Sequence, residues 1–271
     1  MLKKEGGWVI LCGMKLTFLG TGTSQGVPLI AAHYQNLDLG NPKNWRTRSS
    51  IHVEAGGKHI QVDAGPEFRL QCLKNKIEWI DFFILTHGHS DHIAGMDDLR
   101  RFCDIIDSHV LDVYSNEYGL QRIAAIFPYA MGEKPQSIGY PCFKPHLMPR
   151  EILVNDSLTI KSVSLPHGNV QTLGLIFEEN RKKLVYYTDC RAVEGEAFEL
   201  AKNADILVLD FLRPRPHPTH LSTMAALDLV RRLTPAQAYF THTTGEIDYG
   251  VWEKSLPKNC QIAYDGLVAE L

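Results

Sequence analysis

The stretch Phe82-Phe83-Ile84-Leu85-Thr86-His87-Gly88-His89-Ser90-Asp91-His92 decides the fold. An apolar run of strand type ends and delivers four metal-capable side chains within six residues. In extended backbone, side chains two apart share a face, so His87 and His89 can enter one pocket. Asp91 and His92 fall where Ile93, Met96 and Leu99 begin a helical period, which sets the Asp91 carboxylate at the positive end of the helix dipole. Imidazoles and a carboxylate at such spacing suit zinc, iron or manganese. The stretch predicts a metal site at the carboxyl end of a buried strand.

Working outward, His167 in Leu165-Pro166-His167-Gly168, Asp189 in Tyr187-Thr188-Asp189 and His242 in Phe240-Thr241-His242 each follow an apolar or β-branched run. The His-x-His-x-Asp-His pattern with these three resembles the metallo-β-lactamase superfamily, from Met14 to Leu271. The resemblance implies that His87, His89 and His167 hold one ion and Asp91, His92 and His242 a second, with Asp189 bridging them. It implies two divalent transition-metal ions, zinc or manganese with iron as the other candidate, sharing a hydroxide. Asp91 then counts among the catalytic residues as well as the ligands. Two dications against two carboxylates and a hydroxide leave a positive centre, which favours an anionic phosphodiester over a neutral amide.

Closer features resemble the PhnP-type branch, which includes phosphoribosyl 1,2-cyclic phosphate phosphodiesterase. They are Gly20 to Pro28, Arg46-Thr47-Arg48-Ser49-Ser50, Asp63 to Arg69 and Tyr264-Asp265-Gly266-Leu267. One departure is plain. Where members carry a cysteine cluster, this chain has Leu29-Ile30-Ala31-Ala32-His33-Tyr34, so a third, structural zinc held by cysteines is not expected. Asp63 matches an aspartate that orients a ligand histidine. Arg48 and Arg69 are candidates to hold a substrate phosphate bidentately. An alkoxide leaving group needs a proton, and a positioned histidine is the usual donor. The resemblance places a non-ligand histidine before a Ser/Thr here; His220 fits better than His217, which remains a candidate substrate contact.

Composition agrees with an enzyme of ordinary type. The 271 residues are 44% hydrophobic and 22% charged, with a net charge of −3. No block of like positive charge recruits nucleic acid, which argues against a tRNA 3′-processing endonuclease. Thioester, lactone or β-lactam hydrolysis is permitted by the same ligands. A redox di-iron protein would show a Glu for the middle histidine and a fused flavin domain, and an idle binding module would keep costly buried charges without use. The six cysteines are scattered, with no Cys-x-x-Cys, as in a reducing compartment. Trp8 to Cys12 is too short for a membrane span. The expectation is a cytoplasmic enzyme for a small phosphodiester, engaging neither membrane nor nucleic acid, and able to act as a homodimer. Residues 1–13 are read as an extension and 14–271 as one hydrolase domain.

The rest of the pattern predicts strands and helices alternating in two runs: an α+β, four-layer αββα sandwich. Residues 128–150, with Pro128, Pro135, Pro141, Pro145 and Pro149, read as an irregular insertion.

Overall fold

The computed structural model describes residues 13–137 and 139–271; most of the 1–13 extension lies outside them. Two seven-stranded sheets pack face to face. The first has the order β14-β1-β2-β3-β4-β5-β6, from β1 (Lys15–Gly20), β2 (Ser50–Ala55), β3 (Lys58–Val62), β4 (Phe82–Leu85), β5 (Leu111–Ser115), β6 (Phe143–Leu147) and β14 (Val268–Glu270). The second runs β13-β12-β11-β10-β9-β8-β7, from β7 (Glu151–Leu153), β8 (Leu158–His167), β9 (Val170–Glu179), β10 (Lys182–Tyr187), β11 (Ile206–Asp210), β12 (Gln237–Thr241) and β13 (Cys260–Ile262).

Period-two alternation assigns the layers. On β4, Ile84 faces the second sheet, where it meets the core of Leu16, Val53, Phe177 and Tyr186. Its neighbours Phe83 and Leu85 face outward, beneath α1 (Phe68–Asn75), α3 (Arg100–Ile105) and α4 (Glu117–Ile126). On β10, Leu184 and Tyr186 take the inner face, while Val185 and Tyr187 take the outer one, under α5 (Gly195–Ala201) and α6 (Thr223–Leu233). Strands buried on both faces explain why β4, β10 and β11 read as continuous apolar runs. The expected four-layer αββα sandwich is the observed one.

Local chemistry sets the connections. Gly56 and Gly57, both at positive φ, close the β2–β3 hairpin, and Asn180-Arg181 does the same for β9–β10. Ser222 caps α6 by accepting from the Ala225 N–H, a contact worth about 1 kcal/mol. Parallel pairs β3–β4, β4–β5, β10–β11 and β11–β12 bring their carboxyl ends to one edge of the sandwich. Ligands bind at such ends in open parallel sheets.

The 128–150 segment departs from expectation. It contains β6, which pairs in parallel with β5 from Leu111↔Phe143 to Ser115↔Leu147. Pro145 is tolerated there because β6 is an edge strand. The short strands β13 and β14 and the short helix α7 (Tyr249–Trp252) were not apparent in the sequence pattern either. No helix among the described residues is long and apolar enough to cross a membrane.

Candidate metal centre

Each expected donor sits at a strand end or in the turn beyond it. β4 runs into Thr86-His87-Gly88-His89, and α2 (Ser90–Ile93) puts Asp91 and His92 in its first turn. His167 ends β8, Asp189 comes two residues after β10, and His242 directly after β12. The donor atoms of His87, His89 and His167 lie within 4.8 Å of one another, as do those of Asp91, His92, Asp189 and His242. The two sets abut, with the rings of His87 and His92 centred 4.4 Å apart. Asp189 also groups with His167 and His220, so its carboxylate is shared between the sets. All seven residues named from the sequence are brought together.

Tautomers show what this cluster fits. His92 Nδ1 lies 2.7 Å from Asp63 Oδ2, to which it donates. In the neutral ring Nε2 then bears a lone pair, yet it faces Asp91 Oδ2 at 3.1 Å and Asp189 Oδ2 at 3.4 Å. That nitrogen is buried and has no hydrogen-bond partner among the described residues. His242 repeats the pattern. The Ser49 hydroxyl spends its proton on Gly22 O, so it accepts from His242 Nδ1, and the bare Nε2 points at Asp189 Oδ1, 3.3 Å away. His167 donates from Nδ1 to Thr219 O at 3.0 Å, leaving Nε2 bare toward His89. Bare nitrogens facing carboxylates repel unless a cation lies between them. The donor set fits divalent metal ions.

Electrostatics point the same way. Burial disfavours charge on His92, yet without an ion Asp91, Asp189 and Asp63 hold a proton on its ring well above the usual histidine range, in the place that a cation at Nε2 would take. The site thus demands positive charge. Burial pushes His242 down to about 4, against the pull of Asp189, which keeps it a neutral ligand.

His220 lies beside the cluster, its ring 4.8 Å from those of His167 and His242. Its partner is Asp210, the last residue of β11, with Oδ2 2.6 Å from His220 Nδ1. Burial opposes the charge on His220, but Asp210, helped by Asp189 and Asp91, raises it to about 9. An imidazolium held by Nδ1 leaves Nε2–H for a substrate. Asp210 was missed in the sequence because it closes the apolar run Ile206 to Leu209 and reads as part of the strand. The signal was there: Asp189 ends its own apolar run in the same manner.

The candidate phosphate contacts fare differently. Arg48 pairs with Glu67 and donates from Nε to Ser24 O, so its guanidinium is already engaged. Arg69 faces a groove lined by Phe68, Asp98, Arg101 and Phe102, away from the donor cluster. Phe68 occupies the buried side of that helical turn, which turns Arg69 to the outer groove. The structure does not bring Arg69 together with the donor residues. His217 stands on the rim, 5.2 Å from His220 by ring centres. Cys190, adjoining Asp189, turns into the helix-side core rather than toward the donors.

Three of the site residues adopt the left-handed backbone: Asp63 at φ 62°, Asp189 at 50° and His242 at 56°. Such conformations are costly for non-glycine residues and cluster at functional sites. Here they break strand alternation where the chain leaves β3, β10 and β12, and so redirect the side chains toward a common point.

Residues 58–243 match the family described as Beta-lactamase superfamily domain. The chain belongs to that superfamily, in its metallo-β-lactamase fold. Within it the chain is PhnP-like: a crystal structure of a new diphosphatase from the PhnP family superposes with a TM-score of 0.86 at 31% identity, covering 96% of this chain and 97% of that one. An octanoyltransferase of Porphyromonas gingivalis (strain ATCC BAA-308 / W83) is 30% identical over 260 residues. That match takes in 94% of this chain but only 51% of the relative, so the chain spans about half of that protein's length. Coenzyme PQQ synthesis protein B of Xanthomonas axonopodis pv. citri (strain 306) is 26% identical, over 73% of this chain and 72% of its own.

Proposed function

We propose that the chain is a dinuclear metal-dependent phosphodiesterase acting on a small or cyclic diester. The observation that carries this reading is the pair of imidazole nitrogens, His92 Nε2 and His242 Nε2, both anchored through Nδ1 and both facing the Asp189 carboxylate. His87, His89 and His167 would hold one divalent ion, Asp91, His92 and His242 the other, and Asp189 would serve both. Ions held there would supply Lewis-acid charge and activate water at neutral pH. The protein's own residues do the rest. Asp63, Ser49 and Thr219 O fix the rings of His92, His242 and His167. Asp210 holds His220 as the imidazolium whose Nε2–H goes to the departing oxygen.

Asp63 is the clearest positioning residue. Asp63→Asn should weaken metal affinity or turnover about 10–100-fold, read by metal competition and by kcat against KM.

Charge selects the substrate class. Two dications against Asp91 and Asp189 leave a net positive centre, suited to an anion attacked at phosphorus. With Arg48 tied to Glu67, that guanidinium is not free to neutralise the second charge of a monoester. A diester monoanion is the better match, and since a diphosphatase is among the similar structures, diphosphates are further substrates to try. Turnover of bis(p-nitrophenyl) phosphate should exceed that of p-nitrophenyl phosphate by at least about tenfold, about 1.4 kcal/mol in the barrier. Equal or greater monoester turnover would overturn the diester assignment.

A further inference from the structure

A second group of metal-type donors lies on the outer face of the first sheet, around the β2–β3 hairpin. The inner residues of that hairpin are Ile51, Val53, Ala55, Ile60 and Val62. His52, Glu54, His59 and Gln61 therefore share the outer face. Glu54 and His59 are direct cross-strand partners, and His52 lies diagonally from His59. His52 Nε2 is 3.1 Å from His59 Nδ1, and the donor atoms of His52, His59 and Glu54 all fall within 4.8 Å of one another.

Gln61 fixes the chemistry of this pair. Its amide nitrogen lies 3.2 Å from Val62 O and 2.8 Å from Asp63 O, carbonyls that can only accept. The oxygen Oε1 is therefore the atom facing His52 Nδ1, at 3.2 Å. His52 donates from Nδ1 and turns the lone pair of Nε2 toward His59. A histidine anchored through its second nitrogen is how metal ligands are usually held. The spacing also fits: His89 Nδ1 stands 3.0 Å from His87 Nε2 and 3.2 Å from His167 Nε2 in the main cluster. Two nitrogens on one tetrahedral zinc lie about 3.3–3.4 Å apart.

The surroundings add negative charge. A hollow of about 740 Å³ opens beside the trio, lined by Lys15, Glu54, His59, Glu179 and Glu270 among others. Glu179 is 2% exposed; its Oε1 accepts from Gly56 N–H, while the buried Oε2 has no hydrogen-bond partner among the described residues. Lys15 now pairs with Glu54 at 2.6 Å, but its side chain is 38% exposed and free to turn to water. An exposed pair of this kind is worth about 0–1 kcal/mol, a weak competitor for a metal bond.

We propose that His52, His59 and Glu54 form an accessory site for a divalent transition-metal ion of the zinc type, separate from the hydrolytic centre. It clips β2 to β3 and leaves positions for water on the side of the hollow. The test is equilibrium dialysis of the untagged full chain against Zn²⁺ or Co²⁺, followed by elemental analysis. Wild type should bind one ion more than His59→Ala, and His59→Ala should keep its diesterase turnover. Glu54→Gln, at a half-exposed position, should weaken that ion at least tenfold by titration while the thermal midpoint of the protein is retained. Asp91→Ala should lose an ion from the hydrolytic centre and still hold the accessory one, which separates failure of either site from the other. Equal ion counts in wild type and His59→Ala, or an unchanged titration in Glu54→Gln, would overturn the proposal.

Discussion

His220→Ala should lower turnover of an alkyl phosphodiester roughly 10²–10⁴-fold, the range of a lost general acid. The ions of the main cluster should stay in place, because seven residues, Asp189 among them, supply its donors without His220. The size of the loss should depend on the leaving group. A nitrophenolate departs without a proton, so the variant should approach wild type on an activated diester. Asp210→Asn tests the same role from behind. It removes the carboxylate 2.6 Å from His220 Nδ1 that holds the imidazolium, and should lower kcat for alkyl diesters more than for activated ones. Loss of metal in His220→Ala would make this histidine a ligand, with Asp210 its orienting partner. Unchanged turnover on an alkyl diester would move proton donation to His217 or to water.

Chelation should also have a large effect. Removing the divalent ions should lower turnover by at least about 10³-fold, since Lewis-acid stabilisation of developing charge is worth several kcal/mol. Zn²⁺ or Mn²⁺ should restore it. In the His59→Ala background, which isolates the hydrolytic centre, elemental analysis should return two ions per chain and Asp91→Ala should reduce that number. A chelated protein that keeps full activity would remove the metal reading altogether. The stripped chain should also melt earlier. Without cations, the buried carboxylates of Asp91 and Asp189 lose most of their counter-charge, and ions that bind only the folded state stabilise it by mass action.

Much of this site is legible in the sequence because its donors stand at the ends of apolar runs. Phe82 to Leu85, Leu184 to Tyr187 and Ala238 to Phe240 announce strands, and the turn after each reaches the sheet edge with its donor residues. The fold is readable from the same runs, since strands apolar on both faces require a layer on each side. The hidden parts depended on pairing rather than on pattern. β6 carries Lys144, Pro145 and His146, a composition that only an edge strand tolerates, and it became a strand through its register with β5. Three-residue strands such as β13 and β14 carry too little periodicity to be seen. His52 and His59 look like scattered histidines until the Gly56-Gly57 turn places them across from each other. The pairing of Arg48 with Glu67 depends equally on the folded loop, for nothing in the residue types favours an ion pair over a phosphate.

The left-handed backbone at Asp63, Asp189 and His242 has a consequence for how this chain can change. Each such non-glycine residue costs of order 1–3 kcal/mol, and glycine would relieve it. At Asp189 and His242, therefore, a glycine that relieves the backbone also deletes a donor, whereas at Asp63 it would in addition strand the buried Thr86 N–H, Thr86 hydroxyl and His92 Nδ1. Screens for thermostability alone, run without metal, would be drawn toward inactive variants at Asp189 and His242. Screens run with metal present would resist the same changes. Stability and activity pull in opposite directions at these backbone positions, and the availability of metal decides which of them selection sees.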